Sequence, residues 1–109
     1  MPPTAVTTAV VDLEPVLKAL ASDRRRQILH WLKDPVAHFP PQEHGDPELH
    51  GACNQFIVEK LGVSQPAGSR HLKVLVDAGL IIATRRKGWT YYRRDEAVIA
   101  AAIQELTHL

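Results

Sequence analysis

Five residues, Gly62-Val63-Ser64-Gln65-Pro66, constrain this chain more than any other feature, because they join two amphipathic stretches by a turn too short to let them separate. The upstream stretch, roughly Cys53 to Leu61, turns Phe56, Ile57 and Leu61 inward, and Gly62 stops it as a C′ glycine does. Val63 is expected as a buried plug. Ser64 is a natural N-cap, with Pro66 in the first turn where a missing N–H is harmless. The downstream helix runs to about Ala78 and is closed by Gly79. Its apolar side is Leu72, Leu75, Val76 and the following Leu80, and its polar side is Gln65, Ser69, Arg70 and Lys73. Two helices joined in this way form a helix-turn-helix.

The flanking sequence supplies the rest of one domain. Leu13, Val16, Leu17 and Leu20 follow the i, i+3, i+4, i+7 stripe of a helix, and Pro15 suits its first turn. Ser22 caps a second helix, with Asp23 in its first turn. That helix buries Ile28, Leu29, Trp31 and Leu32 and ends before Pro35. Residues 34–52 break every periodicity: four prolines, two glycines and several acids read as a loop insertion of about 18 residues, long for a compact domain. After Leu80 the period changes to two. Residues 81–86 and 89–94 are β-prone runs around a Lys87-Gly88 turn. Asp95 then caps a last helix carrying Val98, Ile99, Ala102, Ile103 and Leu106. Residues 1–11 read as a flexible N-terminal tail and residues 12–109 as a single mainly α domain with a small β-hairpin. No internal repeat is present.

With 109 residues the chain is of one-domain size, able to bury about two-thirds of its surface. Its formal charge of +1 conceals a strong asymmetry. Between Ser64 and Arg94 there are seven basic residues and one acid, Asp77, whereas the other 78 residues carry six basic and eleven acidic groups. Such polarity points to nucleic acid. A single cysteine, Cys53, excludes an intrachain disulfide and any site needing two thiolates from one chain. The apolar stretches fall short of the roughly 20 residues needed to span a bilayer. Met1 to Val11 lacks the basic region and length of a signal peptide. A soluble cytoplasmic protein without membrane partners is expected.

The order helix–helix–helix–turn–helix–hairpin–helix is that of a winged helix-turn-helix. Three segments carry a closer likeness. They are the run from Leu17 to Leu29, Leu17-Lys18-Ala19-Leu20-Ala21-Ser22-Asp23-Arg24-Arg25-Arg26-Gln27-Ile28-Leu29; the run Leu61-Gly62-Val63-Ser64-Gln65-Pro66 with Ser69-Arg70-His71-Leu72-Lys73-Val74-Leu75 and Ala78-Gly79-Leu80; and Lys87-Gly88-Trp89-Thr90-Tyr91-Tyr92-Arg93. Through them, over roughly residues 13–95, the chain resembles the ArsR/SmtB family of bacterial transcriptional repressors. It departs from the family's pattern at Ala67-Gly68, where Thr-Val is common, and in the length of the 34–52 insertion.

The resemblance implies a homodimeric regulator of double-stranded DNA acting on an inverted repeat. The second helix of the motif would enter the major groove. There Gln65, Ser69 and Arg70 are placed to read bases, Gln with adenine and Arg with guanine. Lys73 would meet phosphate, and the amides behind Ser64 would hold one. Arg85, Arg86 and Lys87 of the wing suit backbone or minor-groove contact. His71 borders the buried side and reads equally as a DNA contact or a packed, hydrogen-bonded histidine. Gly68 reads as room either for the DNA backbone or for a neighbouring side chain. Of Tyr91 and Tyr92, one is expected on the core and the other half exposed, while Trp31 and Trp89 read as packing residues. The aliphatic stripes of the first helix (Leu13, Val16, Leu17, Leu20) and the last (Ile99, Ala102, Ile103, Leu106) would pack across a two-fold axis. The alternative is that they only close the protomer's own core.

Many members of this family release DNA when a metal binds. The C-x-C pair at the start of the third helix is incomplete here, because Gln55 stands where the second cysteine would be. The site on the last helix also lacks a ligand: Asp95 and His108 are spaced for it, but Ala97 replaces a histidine. His38, His44, His50 and Cys53, with Glu43, Asp46 and Glu48 between them, are a looser set that could take zinc or nickel if the insertion folds back. Cys53 alone could be a redox switch. The expectation is that no cofactor is required and that the effector is unknown from sequence. A Cys53–His50 dyad lacks any oxyanion-hole motif, so an enzyme is not expected. The rival reading is a winged helix that binds proteins and has lost DNA.

Overall fold

A computed structural model describes residues 11–42 and 44–109. Ten of the eleven residues assigned to the tail therefore lie outside the described residues. The eleventh, Val11, packs against the core and belongs to the domain. Helices α1 (Leu13–Leu20) and α2 (Asp23–Leu32) begin where Asp12 and Ser22 supply side-chain caps, Asp12 accepting from the Glu14 amide and Ser22 from the Arg25 amide. Each such cap is worth about 1 kcal/mol.

The insertion is not the unbroken loop expected of it. It holds two single-turn helices, α3 (Pro35–His38) and α4 (Pro47–His50), and a two-residue strand, β1 (Ala52–Cys53). Both turns have the same cause: an Asp-Pro pair places a capping carboxylate before a proline whose φ suits a first helical turn. Helix α5 therefore starts at Asn54 and runs to Leu61, with Cys53 at its cap position. Helix α6 (Gln65–Asp77) follows across the Gly62–Ser64 turn, where Val63 is half-buried rather than sealed in.

Strands β2 (Ile81–Arg86) and β3 (Trp89–Arg94) pair antiparallel from Ile81↔Arg94 to Arg86↔Trp89. Lys87 and Gly88 turn with φ of 53° and 83°, as a two-residue type I′ hairpin requires. On the other edge of β3, Ala52 and Cys53 pair with Tyr92 and Tyr91, giving the sheet order β1-β3-β2. Gly51 makes this pairing reachable. Its φ is 84°, and a Cβ there would drive into the Tyr92 carbonyl. Helix α7 (Glu96–Thr107) closes the chain, capped by Asp95.

One core joins these elements. Ile28, Ile57, Leu72, Leu75 and Ile81 are wholly or almost wholly buried, with Val16 and Ala19 from α1 and Ala102 from α7. Trp31 packs as expected, with its ring edge-on to Phe39 and under the Lys60 ammonium. Trp89 does not: it is 45% exposed, because the hairpin tip overhangs the body.

Gly68 is buried inside α6, and a Cβ built on it would lie 2.5 Å from Val58 Cγ2 and 3.0 Å from Cγ1. Of the two uses left open for this glycine, the structure selects close passage of α6 across α5, on the side away from solvent. Gly68→Ala is expected to destabilise the fold by about 1–3 kcal/mol through overpacking, although alanine is the better helix former by about 1 kcal/mol. Val58→Ala removes both offending methyl groups and should recover part of that loss. Urea unfolding of the four proteins in the double-mutant cycle measures the coupling, and strictly additive losses would remove the contact as the cause.

Candidate nucleic-acid interface

Helix α6 starts at Ser64, whose hydroxyl accepts from the Ala67 amide at 3.3 Å. Gln65 is exposed but held: its Nε2 donates to Asn54 Oδ1 at 2.6 Å and to Ser69 Oγ at 3.0 Å. One turn further on, Arg70 is exposed, and its guanidinium makes no hydrogen bond or ion pair among the described residues. Such a free fork suits bidentate contact with a base edge or phosphate. Lys73 is also exposed, and its ammonium sits 2.8 Å from Asp77 Oδ2 on the next turn. Both partners are well solvated, so the pair is weak and readily exchanged for phosphate.

The wing brings the second cationic group. Arg85 reaches Thr90 Oγ1 at 3.4 Å, and Arg86 Nε donates to the His44 carbonyl of the insertion at 3.4 Å. Lys87 stands at the exposed tip. Gln65 and the wing residues Gly88, Trp89 and Thr90 line one open groove with Asn54. The start of α6 and the wing tip thus border the same surface.

His71, the ambiguous residue, is directed inward and is half-buried. Its Nδ1 lies 3.1 Å from Arg25 Nη1. Arg25 also donates to the carbonyls of Ala19 at 2.7 Å and Lys18 at 3.1 Å, so one guanidinium joins α1, α2 and α6. Since arginine can only donate, Nδ1 accepts, and the neutral ring carries its proton on Nε2. Burial, followed by the charges of Arg25, Arg24 and Arg70, holds the His71 pKa below its ordinary 6.5. His71 therefore positions the helix instead of facing outward with Gln65 and Arg70.

Sequence reasoning missed Arg25 and Asn54, whose partners lie 46 and 11 residues away and carry no local signal. The Lys73–Asp77 pair was readable from its i, i+4 spacing.

The proposed sensor residues are scattered. His38 lies against His30, and His50 Nδ1 accepts from the Asp46 amide while its ring faces Tyr91. Cys53 is buried. Among the described residues no three His, Cys, Asp or Glu side chains gather as metal ligands; Glu43 lies outside them. At the positions of the family's two metal sites, Gln55 offers an amide in place of a thiolate, Asp95 caps α7, and His108 stands at that helix's other end.

Of the two aliphatic stripes, Val16 and Ala102 are buried within the protomer and cannot meet a second copy, because α1 and α7 turn them into the core. Leu13, Leu20 and Ile99 are half-buried, while Leu17, Ile103 and Leu106 are 45%, 59% and 37% exposed. Leu20, Ile99, Ile103 and Leu106 line a small apolar cavity together with Leu29 and Leu80.

A family model described as "Bacterial regulatory protein, arsR family" matches residues 52–83, the span from β1 through the helix-turn-helix to β2. The uncharacterized HTH-type transcriptional regulator YbzH of Bacillus subtilis (strain 168) is 46% identical over 84 residues, which is 77% of this chain and 84% of YbzH. The chain belongs to the ArsR family. It is thus a helix-turn-helix transcriptional regulator with a DNA-binding winged helix, in a family of regulators and not of enzymes. The fold agrees. The crystal structure of an ArsR family transcriptional regulator covers 91% of each chain with a TM-score of 0.67 at 16% identity. The solution structure of the homodimeric winged helix-turn-helix DNA-binding domain Mb0332 from Mycobacterium bovis, a possible ArsR-family regulator, has a TM-score of 0.58 at 26% identity. It covers 88% of this chain and 77% of that one. Among the described residues, no helix of this ArsR-family protein is long and apolar enough to cross a membrane.

Because the folded pKa of His71 is lowered, the unfolded chain takes up the proton first as pH falls. The stability tied to neutral His71 is present above the unfolded value and is lost as pH drops through the folded one. The Tm of the wild type is expected to fall between about pH 7.5 and about pH 5.5, and to fall less in His71→Gln. Thermal unfolding followed by circular dichroism checks this; equal slopes in the two proteins would assign the pH dependence to other groups.

Proposed function

We propose that this protein is a homodimeric repressor that binds an inverted-repeat operator and leaves it on an intracellular signal. The observation that carries the reading is the open groove shared by Gln65 of α6 and Gly88, Trp89 and Thr90 of the wing, with Ser69 and Arg70 further along the same helix and Arg85, Arg86 and Lys87 on the same hairpin. In this reading Gln65 and Arg70 meet base edges, Ser69 supports Gln65, and Lys73, the wing cations and the amides behind Ser64 meet the phosphate backbone. His71 takes no direct part. One short helix reads few base pairs, so two copies reading half-sites one helical turn apart supply the specificity.

The dimer reading is supported by the exposed Leu17 of α1, by the exposed Ile103 and Leu106 at an apolar cavity, and by the homodimeric Mycobacterium bovis neighbour. No cofactor is required in this reading, and chelation is expected to leave DNA affinity unchanged.

Fluorescence anisotropy on DNA upstream of the protein's own gene and on a scrambled duplex, at several salt concentrations, tests these roles. Arg70→Ala is expected to lose the preference for the specific duplex, at a cost of about 1–3 kcal/mol. Lys87→Ala should weaken both duplexes alike and flatten the salt dependence by about one ion. Equal losses on both duplexes for Arg70→Ala would refute its part in base readout.

Ile103→Asp places a charge on the proposed two-fold face. It is expected to give a monomer in analytical ultracentrifugation and to weaken operator binding. A wild-type protein that sediments as a monomer at micromolar concentration would sink the dimer.

A further inference from the structure

Behind the DNA-facing surface lies a cavity of about 300 Å³ to which the reading above gives no role. Its walls come from three elements: Phe56 of α5, Trp89 and Tyr91 of β3, and Pro41 of the insertion. Trp89 and Tyr91 are two residues apart on one strand and so share a face. Tyr91 is buried, whereas Trp89 continues that face beyond the core and remains 45% exposed at the lip.

The polar atoms around the space are largely committed elsewhere. Gln42 Oε1 accepts from the Cys53 amide at 2.7 Å, and its Nε2 donates to the Gly51 carbonyl at 3.0 Å. Gln55 Nε2 donates to Glu59. His44 and Cys53 complete the lining, and among the described residues no Asp, Glu, Lys or Arg joins them, so a charged ligand would lose its hydration without meeting a carboxylate, ammonium or guanidinium. The volume stands at the lower end of that of ligand cavities, enough for about two or three rings. Three aromatic side chains from two elements favour a planar partner by offset or edge contacts.

We propose that this cavity is an effector site for a small, uncharged aromatic compound, and that its occupancy weakens DNA binding. The regulatory half rests on the DNA-binding reading above; the ligand site does not. The coupling has a visible route. Pro41, Gln42 and His44 border the cavity, and the His44 carbonyl receives the wing's Arg86. Trp89 and Gln55 line both this cavity and the open groove bordered by Gln65. A ring wedged against Trp89 therefore moves the wing tip relative to the start of α6, and a duplex needs both in one register. DNA and ligand then weaken each other by the same factor.

The probe is N-phenyl-1-naphthylamine, an uncharged aromatic fluorophore, titrated into the full chain. Its fluorescence is expected to saturate at one probe per chain. Gln55→Phe and Pro41→Phe, which fill the mouth from exposed positions, should each weaken it about tenfold. Equal affinity for wild type and both filled variants would place the probe elsewhere. Equal affinity for the anionic relative 8-anilinonaphthalene-1-sulfonate would overturn the uncharged class. In anisotropy, saturating probe is expected to weaken wild-type DNA binding about fivefold and to leave the filled variants unmoved. Unchanged wild-type affinity would end the effector role. A chain that binds no DNA at all would remove the regulatory half together with the reading above, while the titration still judges the ligand site by itself.

Discussion

At Gly68 helix α6 passes its neighbour so closely that a single methyl group would have no room beside Val58, and the placement of the exposed side chains of α6 follows from that contact. A glycine inside a helix costs about 1 kcal/mol relative to alanine. The helix tolerates it because the same crossing buries Ile57, Val58, Leu72 and Leu75, each worth about 1.5–3 kcal/mol when fully withdrawn from water. The close approach also brings Asn54 within 2.6 Å of Gln65, so an exposed side chain at the start of α6 is oriented before any DNA arrives. Less rotamer freedom is then lost on contact with a base.

The wing depends on the insertion. A lone two-stranded hairpin is marginal in water. Here β3 is flanked on its far side by β1, and the free edge of β1 is in turn covered by the Gln42 amide, which bonds to Gly51 and Cys53. The insertion thus supplies a third strand and a side-chain cover for its edge, protecting backbone groups that would otherwise stand open. Pairing stops at Tyr91, so the tip with Trp89 and Lys87 projects past the support. The hairpin is flanked where it joins the body and projects where it carries Lys87.

What was legible in the sequence had local causes. The hairpin register, the Ser64 cap and the Gly62 stop follow from residues within one turn of where they act, and the structure places each as expected. The insertion was illegible as a strand because β1 exists only through partners distant in the chain: Gln42 eleven residues before it, and Tyr91 and Tyr92 far after it. Its two Asp-Pro turns were readable, but a single turn leaves no periodicity to detect. His71 lay on the boundary between the apolar and polar sides of α6, and only Arg25, 46 residues earlier, decides which side claims it. Alternation along β3 separated Tyr91 from Tyr92, but it could not say that the core ends between Tyr91 and Trp89, which share a face.

Counting charge along the chain also understates the field at the recognition helix. The basic run from Ser64 to Arg94 omits α2, yet after burial, the first cause of the lowered His71 pKa, come the charges of Arg25 and Arg24 alongside Arg70. A protonated ring there would add a fourth positive charge to a crowded site, so the neutral form is the one that fits. Arg25 is nonetheless withdrawn from any DNA contact by its three acceptors. Two of these are carbonyls at the C-terminal end of α1, where the helix dipole favours a cation. Helix α1 bears the exposed Leu17 of the proposed two-fold face, and α6 bears Gln65 and Arg70. One guanidinium therefore fixes, within a single protomer, the angle between the surface that would meet a second copy and the surface that would meet DNA. In a dimer, the spacing of two such helices along a duplex is set by that angle.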